Sequence, residues 1–136
     1  MTNYERTDGY ARLLLDGASE RYLENCIAVS EGLRKLPRPH VVLASPAKHE
    51  DWLDIEEQTY GAFVQGVVFG AEMQLLLVSL PPSLEGRYQK VPHIIWGLLE
   101  GTLPAESEAV LADRSSVIIA LDKPIPISVT GDFYLF

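Results

Sequence analysis

The sequence predicts an α+β fold, in which a mostly antiparallel sheet of four to six strands packs with two to four helices. Three observations lead to this prediction. An apolar repeat of helical spacing covers residues 20–36, runs rich in β-branched and aromatic residues follow residue 59, and nine prolines divide the chain into short segments. Because no linker-like run of glycine and serine separates these segments, residues 1–136 are expected to form a single globular domain.

The first predicted helix extends from about Glu20 to Leu36. Its apolar residues recur every three or four positions and would share one face, which would bury the only cysteine: Tyr22, Cys26, Val29, Leu33 and Leu36. Ser19 is the predicted N-cap, and Pro37 cannot continue the helix. The apolar residues 40–44 then predict a short buried strand.

The dipeptide Ser45-Pro46 has the form of an N-cap followed by proline in the first turn, so a short helix through Glu57 is predicted. A β-hairpin is predicted next, with strands over residues 60–69 and 73–80 and a turn near Gly70. A long buried helix is the alternative for this apolar stretch, although its glycines weaken it.

The last third of the chain is predicted to contain two helices and two strands. Pro92 would open a helix over residues 93–100 that Gly101 ends, and a second helix would cover residues 104–113. Strands are expected over residues 117–121 and 127–136.

The charge is unevenly distributed along the chain. Residues 1–48 carry seven bases and six acids, a sum of +1, whereas residues 49–136 carry four bases and thirteen acids, a sum of −9, which gives the net charge of −8. An anionic surface repels phosphate, so we expect neither nucleic acid nor an anionic membrane as a partner, and a basic protein is expected instead. A single cysteine and the lack of an apolar leader favour a cytoplasmic location.

The densest charge lies within residues 50–57. This acidic cluster, together with a neighbouring tryptophan, is the predicted partner-binding site: Glu50, Asp51, Trp52, Asp54, Glu56 and Glu57. The composition is similar to that of bacterial immunity proteins, toxin inhibitors and secretion chaperones. The predicted function is therefore a non-enzymatic domain that neutralises or escorts a basic protein.

Two alternatives remain open at the level of sequence. One is a small metal-assisted hydrolase that uses His49 with Glu50 or Asp54, and the other is a subunit of a homo-oligomer or larger assembly. His40 and His93 are further candidates for acid–base chemistry, but neither lies in a recognisable pairing. No catalytic residue, metal ligand or cofactor is assigned from the sequence.

Overall fold

The computed structural model describes residues 8–113 and 116–136. Seven strands and two α-helices account for most of this part of the chain. In chain order they are β1 (Gly9–Leu15), α1 (Gly17–Cys26), β2 (Arg34–Lys35), β3 (His40–Ala47), β4 (Thr59–Phe69), β5 (Met73–Ser79), β6 (His93–Leu98), α2 (Ser107–Ala112) and β7 (Val117–Leu135). Short 3-10 turns cover His49–Trp52, Pro82–Leu84 and Pro104–Glu106.

Six of the strands close into an antiparallel barrel. The order in the sheet is β2-β6-β3-β1-β7-β4-β5, and a further pairing between β5 and β6 joins the two sides. The two-residue strand β2 is the extra strand and pairs with the end of β6. The predicted α+β fold is therefore wrong, because the strands form a closed barrel and the helices are few and short.

The inside of the barrel is filled by every second residue of its strands, as the alternation of side chains in a strand requires. Leu13, Val41, Val64, Ile94 and Trp96 are fully buried in this core. A smaller apolar cluster contains Met73 and Leu75, and the two residues of α2 that pack against it are Val110 and Leu111. Helix α2 thus covers one outer face of the sheet.

Helix α1 ends ten residues earlier than the apolar repeat predicts. The carboxylate of Asp16, not Ser19, caps its first turn and accepts hydrogen bonds from the backbone of Ala18 and Ser19 at 2.8 and 3.0 Å. Beyond Cys26 the backbone is held by two buried side chains. Gln74 bonds the Ala28 carbonyl and the Ser30 amide, and the Trp96 indole donates to the Ile27 carbonyl.

These tertiary hydrogen bonds explain why the helical pattern does not persist. They satisfy backbone groups that a longer helix would satisfy internally, and they leave Cys26 exposed rather than buried. The segment after α1 is tied to the barrel core through Trp96, which is fully buried.

Other predicted elements had mixed outcomes. The hairpin over residues 60–80 is confirmed by the pairing of β4 with β5, and the helix predicted over residues 104–113 is present as a 3-10 turn followed by α2. The helix predicted after Ser45 is wrong, because β3 continues to Ala47 and only a 3-10 turn follows. The helix predicted over residues 93–100 is strand β6, and the two C-terminal strands are one strand, β7.

No helix in the two described ranges is long and apolar enough to cross a membrane.

Gly131 on β7 marks a close approach between the barrel and the loop before β4. The Gly131 amide donates to the Gln58 carbonyl, and the Gly131 carbonyl accepts from the Glu57 amide, both at 2.9 Å. A Cβ atom at this position would overlap the Ile55 carbonyl group, which is backbone and cannot move aside easily. Glycine therefore keeps the loop carrying the acidic cluster against the barrel.

Replacing Gly131 by alanine should lower the free energy of unfolding by about 3 kcal/mol, the upper part of the range for overpacking a core. Gly61→Ala on β4 is the matched control, because a Cβ atom there meets no other atom within 4 Å. Urea denaturation of both variants measures the difference. Equal stability of the two variants would contradict the close approach.

Candidate functional site

A cavity of about 460 Å³ lies on the outer face of the barrel, beside the start of α2. Its walls are the outer faces of β3 and β6, the segment before β3 and the first turn of α2. The polar and titratable side chains that line it are Tyr10, Arg38, His40, Ser45, Gln89, Lys90, His93, Ser107 and Glu108. A volume of this size is typical of pockets that bind small molecules.

Two copies of a short sequence pattern meet in this cavity. Residues 39–42 read Pro-His-Val-Val and residues 92–95 read Pro-His-Ile-Ile. Val41 of the first copy pairs with Ile94 of the second across the antiparallel strands β3 and β6. Each histidine precedes its paired residue by one position, so both side chains lie on the same face, opposite to the buried Val41 and Ile94.

The two imidazole rings are held in the same way. His40 Nδ1 lies 3.0 Å from the Arg38 carbonyl oxygen, and His93 Nδ1 lies 2.8 Å from the Val91 carbonyl oxygen. Because a carbonyl oxygen only accepts, each Nδ1 carries the hydrogen and donates it. In both rings Nε2 is therefore the nitrogen left for proton exchange.

The Nε2 atoms differ in their surroundings. His93 Nε2 lies 2.9 Å from the Ser107 hydroxyl, which is buried at the start of α2. In a neutral His93 the hydroxyl donates to Nε2, and in a protonated His93 the direction reverses. His40 Nε2 has no hydrogen-bond partner within residues 8–113 and 116–136, so this nitrogen can accept a proton from a bound molecule.

Burial lowers the pKa of His40 from its ordinary value of 6.5, and the charges of Arg12 and Arg38 lower it further. The bond to the Arg38 carbonyl and the charge of Asp132 oppose this shift. His40 is therefore neutral near pH 7. Arg12 is itself compensated, because its Nε donates to Asp132 at 2.8 Å.

Unpaired positive charge in the lining of the cavity comes from Arg38. Its side chain is exposed and forms no ion pair with any residue in the described ranges, and its backbone φ of 51° is in the left-handed region. Lys90 is less available, because its ammonium group pairs with Glu108. A guanidinium group binds phosphate and carboxylate well.

The predicted acidic cluster lies in the loop between β3 and β4, away from this cavity. Its members are partly neutralised within the chain. Arg87 donates to both carboxylate oxygens of Asp54, at 2.8 and 3.1 Å, and its guanidinium group lies 4.5 Å from the ring centre of Trp52. The hydrogen bonds with Arg87 lower the pKa of Asp54 and raise the pKa of Arg87.

The other members of the cluster are paired within the chain, exposed or buried. Glu56 pairs with His49, whose ring stacks on Phe133 at 4.6 Å. Glu50, Asp51 and Glu57 are exposed, whereas Trp52 is buried beneath Arg87. Arg87 and His49 thus each engage one carboxylate of the cluster.

The set proposed for a metal, His49 with Glu50 or Asp54, does not converge. His49 faces Glu56, and Asp54 faces Arg87. Across the described residues, no group of three or more His, Cys, Asp or Glu side chains is placed to hold a metal ion.

Comparisons with known proteins give a fold likeness and no sequence family. No protein-family model and no curated protein matches the sequence. Among solved structures, the chain is similar to a fungal RNA kinase, with a TM-score of 0.64 and 11% sequence identity. The match covers 95% of this chain and 46% of the kinase chain, so the likeness extends over less than half of that protein.

The prediction of a non-enzymatic immunity protein, inhibitor or chaperone is wrong. The barrel is shared with an enzyme chain, and two of the acids in the cluster, Asp54 and Glu56, are engaged within the chain. Considered separately in the sequence, His40 and His93 show no pairing. The repeated Pro-His dipeptide is the signal that relates them. Ser107 and Arg38 gave no signal, because only the tertiary structure places them beside the histidines.

The lowered pKa of His40 predicts a pH dependence of stability. The unfolded chain binds a proton at His40 near pH 6.5, but the folded chain binds it only at lower pH. Stability contributed by neutral His40 is therefore present above pH 6.5 and is lost as the pH falls from 6.5 through the folded-state pKa. His40→Asn keeps a donor near the Arg38 carbonyl and removes the titrating group.

Thermal melts of the wild type and His40→Asn between pH 5 and pH 8 measure this effect. Below pH 6.5 we expect the melting temperature of the wild type to fall relative to that of His40→Asn. Parallel curves for the two proteins would show that His40 has an unperturbed pKa in the fold.

Proposed function

We propose that the cavity is the active site of an acid–base enzyme that cleaves or transfers a small phosphoester. The observation that carries the proposal is the pair of matched histidines on β3 and β6. Both donate through Nδ1 to a backbone carbonyl and both line one cavity with an unpaired arginine. Two imidazoles at one site can act as a general base and a general acid at neutral pH.

The roles follow from the surroundings of each ring. His40 is neutral near pH 7 and its Nε2 is without a partner in the described residues, which suits a general base. His93 in its protonated form has an Nε2 proton to give and the Ser107 hydroxyl to hold the ring in place. The geometry therefore favours His93 as the general acid.

The reaction balances without a further reactant apart from the attacking hydroxyl. His40 removes the proton as that oxygen forms a bond to phosphorus, and the bond from phosphorus to the leaving oxygen breaks. His93 gives its Nε2 proton to the leaving oxygen. The net change at the enzyme is one proton gained by His40 and one lost by His93, and exchange with water restores both.

A phosphoester also fits the charge and size of the site. Arg38 can donate to the phosphoryl oxygens, and the negative charge that develops on them is stabilised best in a partly buried site. The cavity of about 460 Å³ suits a molecule of about the size of a nucleotide. The net charge of −8 disfavours long nucleic acid.

The fold likeness supports the substrate class. The similar structure is named as an RNA kinase, an enzyme whose name gives a nucleic-acid substrate. From this likeness we take only the substrate class, a phosphorylated molecule. The proposed chemistry rests on the two histidines.

Ser107 offers a second candidate mechanism. Its hydroxyl lies 2.9 Å from His93 Nε2, and His93 is oriented by the Val91 carbonyl, an arrangement that also occurs when a histidine activates a serine nucleophile. In that mechanism Ser107 Oγ would form a bond to phosphorus as the bond to the leaving oxygen breaks, and His93 would take the hydroxyl proton and give it to the leaving oxygen. Water would then attack phosphorus, His93 would take a proton from it and return one to Ser107 Oγ, and the phosphate would be released.

Replacing either cavity histidine should reduce turnover strongly. We expect His40→Asn and His93→Asn each to lower kcat by about 10²- to 10⁴-fold, the usual contribution of general acid–base catalysis, with little change in KM. Arg38→Ala should mainly raise KM. Hydrolysis of a ribodinucleotide and of its 2′-deoxy counterpart is the assay, because a difference between them identifies a neighbouring hydroxyl as the attacking group.

His49→Asn is the matched control, since His49 pairs with Glu56 outside the cavity. The acidic limb of kcat/KM should lie below pH 6.5 because the base has a lowered pKa. Ser107→Ala should retain much of the activity if Ser107 orients His93 and lose nearly all of it if Ser107 is the nucleophile. Full activity in both His40→Asn and His93→Asn would refute the proposal.

A further inference from the structure

A row of aromatic rings leads out of the cavity across the neighbouring strands. The Tyr10 ring lies 6.2 Å from the His40 ring and 5.1 Å from the Tyr134 ring, with interplanar angles of 28° and 25°. The three rings are therefore stacked in sequence across β3, β1 and β7. Tyr10 and Tyr134 are directly opposite each other in the pairing of β1 with β7.

The row ends on an accessible ring. Tyr10 is half-buried and lines the cavity, whereas 47% of the surface of Tyr134 is exposed. Arg12 lies beside both tyrosines, with its guanidinium carbon 5.8 Å from the Tyr10 ring centre and 5.0 Å from that of Tyr134. Because Arg12 is buried and paired with Asp132, it is fixed in place and keeps the tyrosine rings in position.

We infer that Tyr134 is a stacking subsite for a nucleobase, and that the substrate is a short single-stranded oligonucleotide rather than a mononucleotide. This inference rests on the proposed function, which places the reacting phosphate between His40 and His93. Stacking on an exposed aromatic ring beside a cation is a general means of holding bases without reading their sequence.

The length of the substrate follows from the spacing of the rings. The Tyr10 ring lies between the rings of His40 and Tyr134. Its centre is 6.2 Å from that of His40 and 5.1 Å from that of Tyr134. The base attached to the sugar next to the reacting phosphate would lie over the cavity itself. The base of the following nucleotide is the one that comes over Tyr134, so the bound strand has at least two nucleotides.

The local charge agrees with a short strand. Of the two arginines near the row, Arg12 is paired with Asp132, whereas Arg38 forms no ion pair in the described ranges, and the net charge of the chain is −8. The site therefore offers one unpaired cation to the phosphates of a short strand. A longer strand would meet the negative field.

The test compares three ligands that are not cleaved through a neighbouring hydroxyl. They are a 5′-phosphorylated deoxyadenosine dinucleotide, the same molecule with the second base removed, and deoxyadenosine 5′-monophosphate. Calorimetry with catalytically silent His93→Asn protein gives each Kd. We expect the intact dinucleotide to bind about tenfold more tightly than the abasic dinucleotide, the effect of one base–aromatic stack.

Variants at Tyr134 locate the effect. Tyr134→Ala should remove the tenfold preference and leave the abasic dinucleotide unchanged, and Tyr134→Phe, which keeps the ring, should retain the preference. Arg38→Ala should weaken all three ligands, since it acts on the phosphate.

The outcomes separate the two proposals. Equal binding of the intact and abasic dinucleotides, with Arg38→Ala weakening both, would overturn the stacking subsite and leave the phosphoester site standing. A preference that survives in Tyr134→Ala would also overturn the subsite. Absence of binding by all three ligands would overturn the phosphoester site and the subsite together.

Discussion

The pairing of β6 with both β3 and β5 is the constraint on which the rest of the structure depends. β6 bonds to β5 along most of its length, which closes the barrel, and to β3 at Val41 and Ile94, which places His40 and His93 diagonally across the antiparallel pair. The same strand therefore completes the core and places His93 on the face that carries His40, in the wall of the same cavity. A shift of one residue in this pairing would turn both the buried Trp96 and His93 to the wrong face.

The inner and outer faces of the barrel have different roles. The inner face is apolar and is tied to the segment after α1 by buried hydrogen bonds from Gln74 and Trp96. The outer face of β6, β3 and β1 carries the polar and aromatic side chains of the cavity. Because the core fixes the strands, the histidines can keep their orientation with only one backbone hydrogen bond each from Nδ1.

Local signals in the sequence predicted the hairpin of β4 and β5 and the helical segment after Pro104, because turn residues and apolar periodicity act over a few positions. They failed for β6, where Pro92 and Gly101 suggested helix ends although Ile94 and Ile95 favour a strand. They also failed after Cys26. There Gln74 forms a hydrogen bond with the Ala28 carbonyl, although the two residues are 46 positions apart in the sequence. The site was missed for the same reason, since its parts come from four distant segments.

The central claim is that His40 and His93 act on one bound phosphate through their Nε2 atoms. Nuclear magnetic resonance of ¹⁵N-labelled imidazole rings during titration with orthovanadate, a phosphate analogue that forms five-coordinate complexes, tests this claim directly. The account predicts that the Nε2 signals of His40 and His93 change together and saturate with a single Kd, while the signals of His49 stay constant. Independent changes at the two rings, or no change at either, would contradict it.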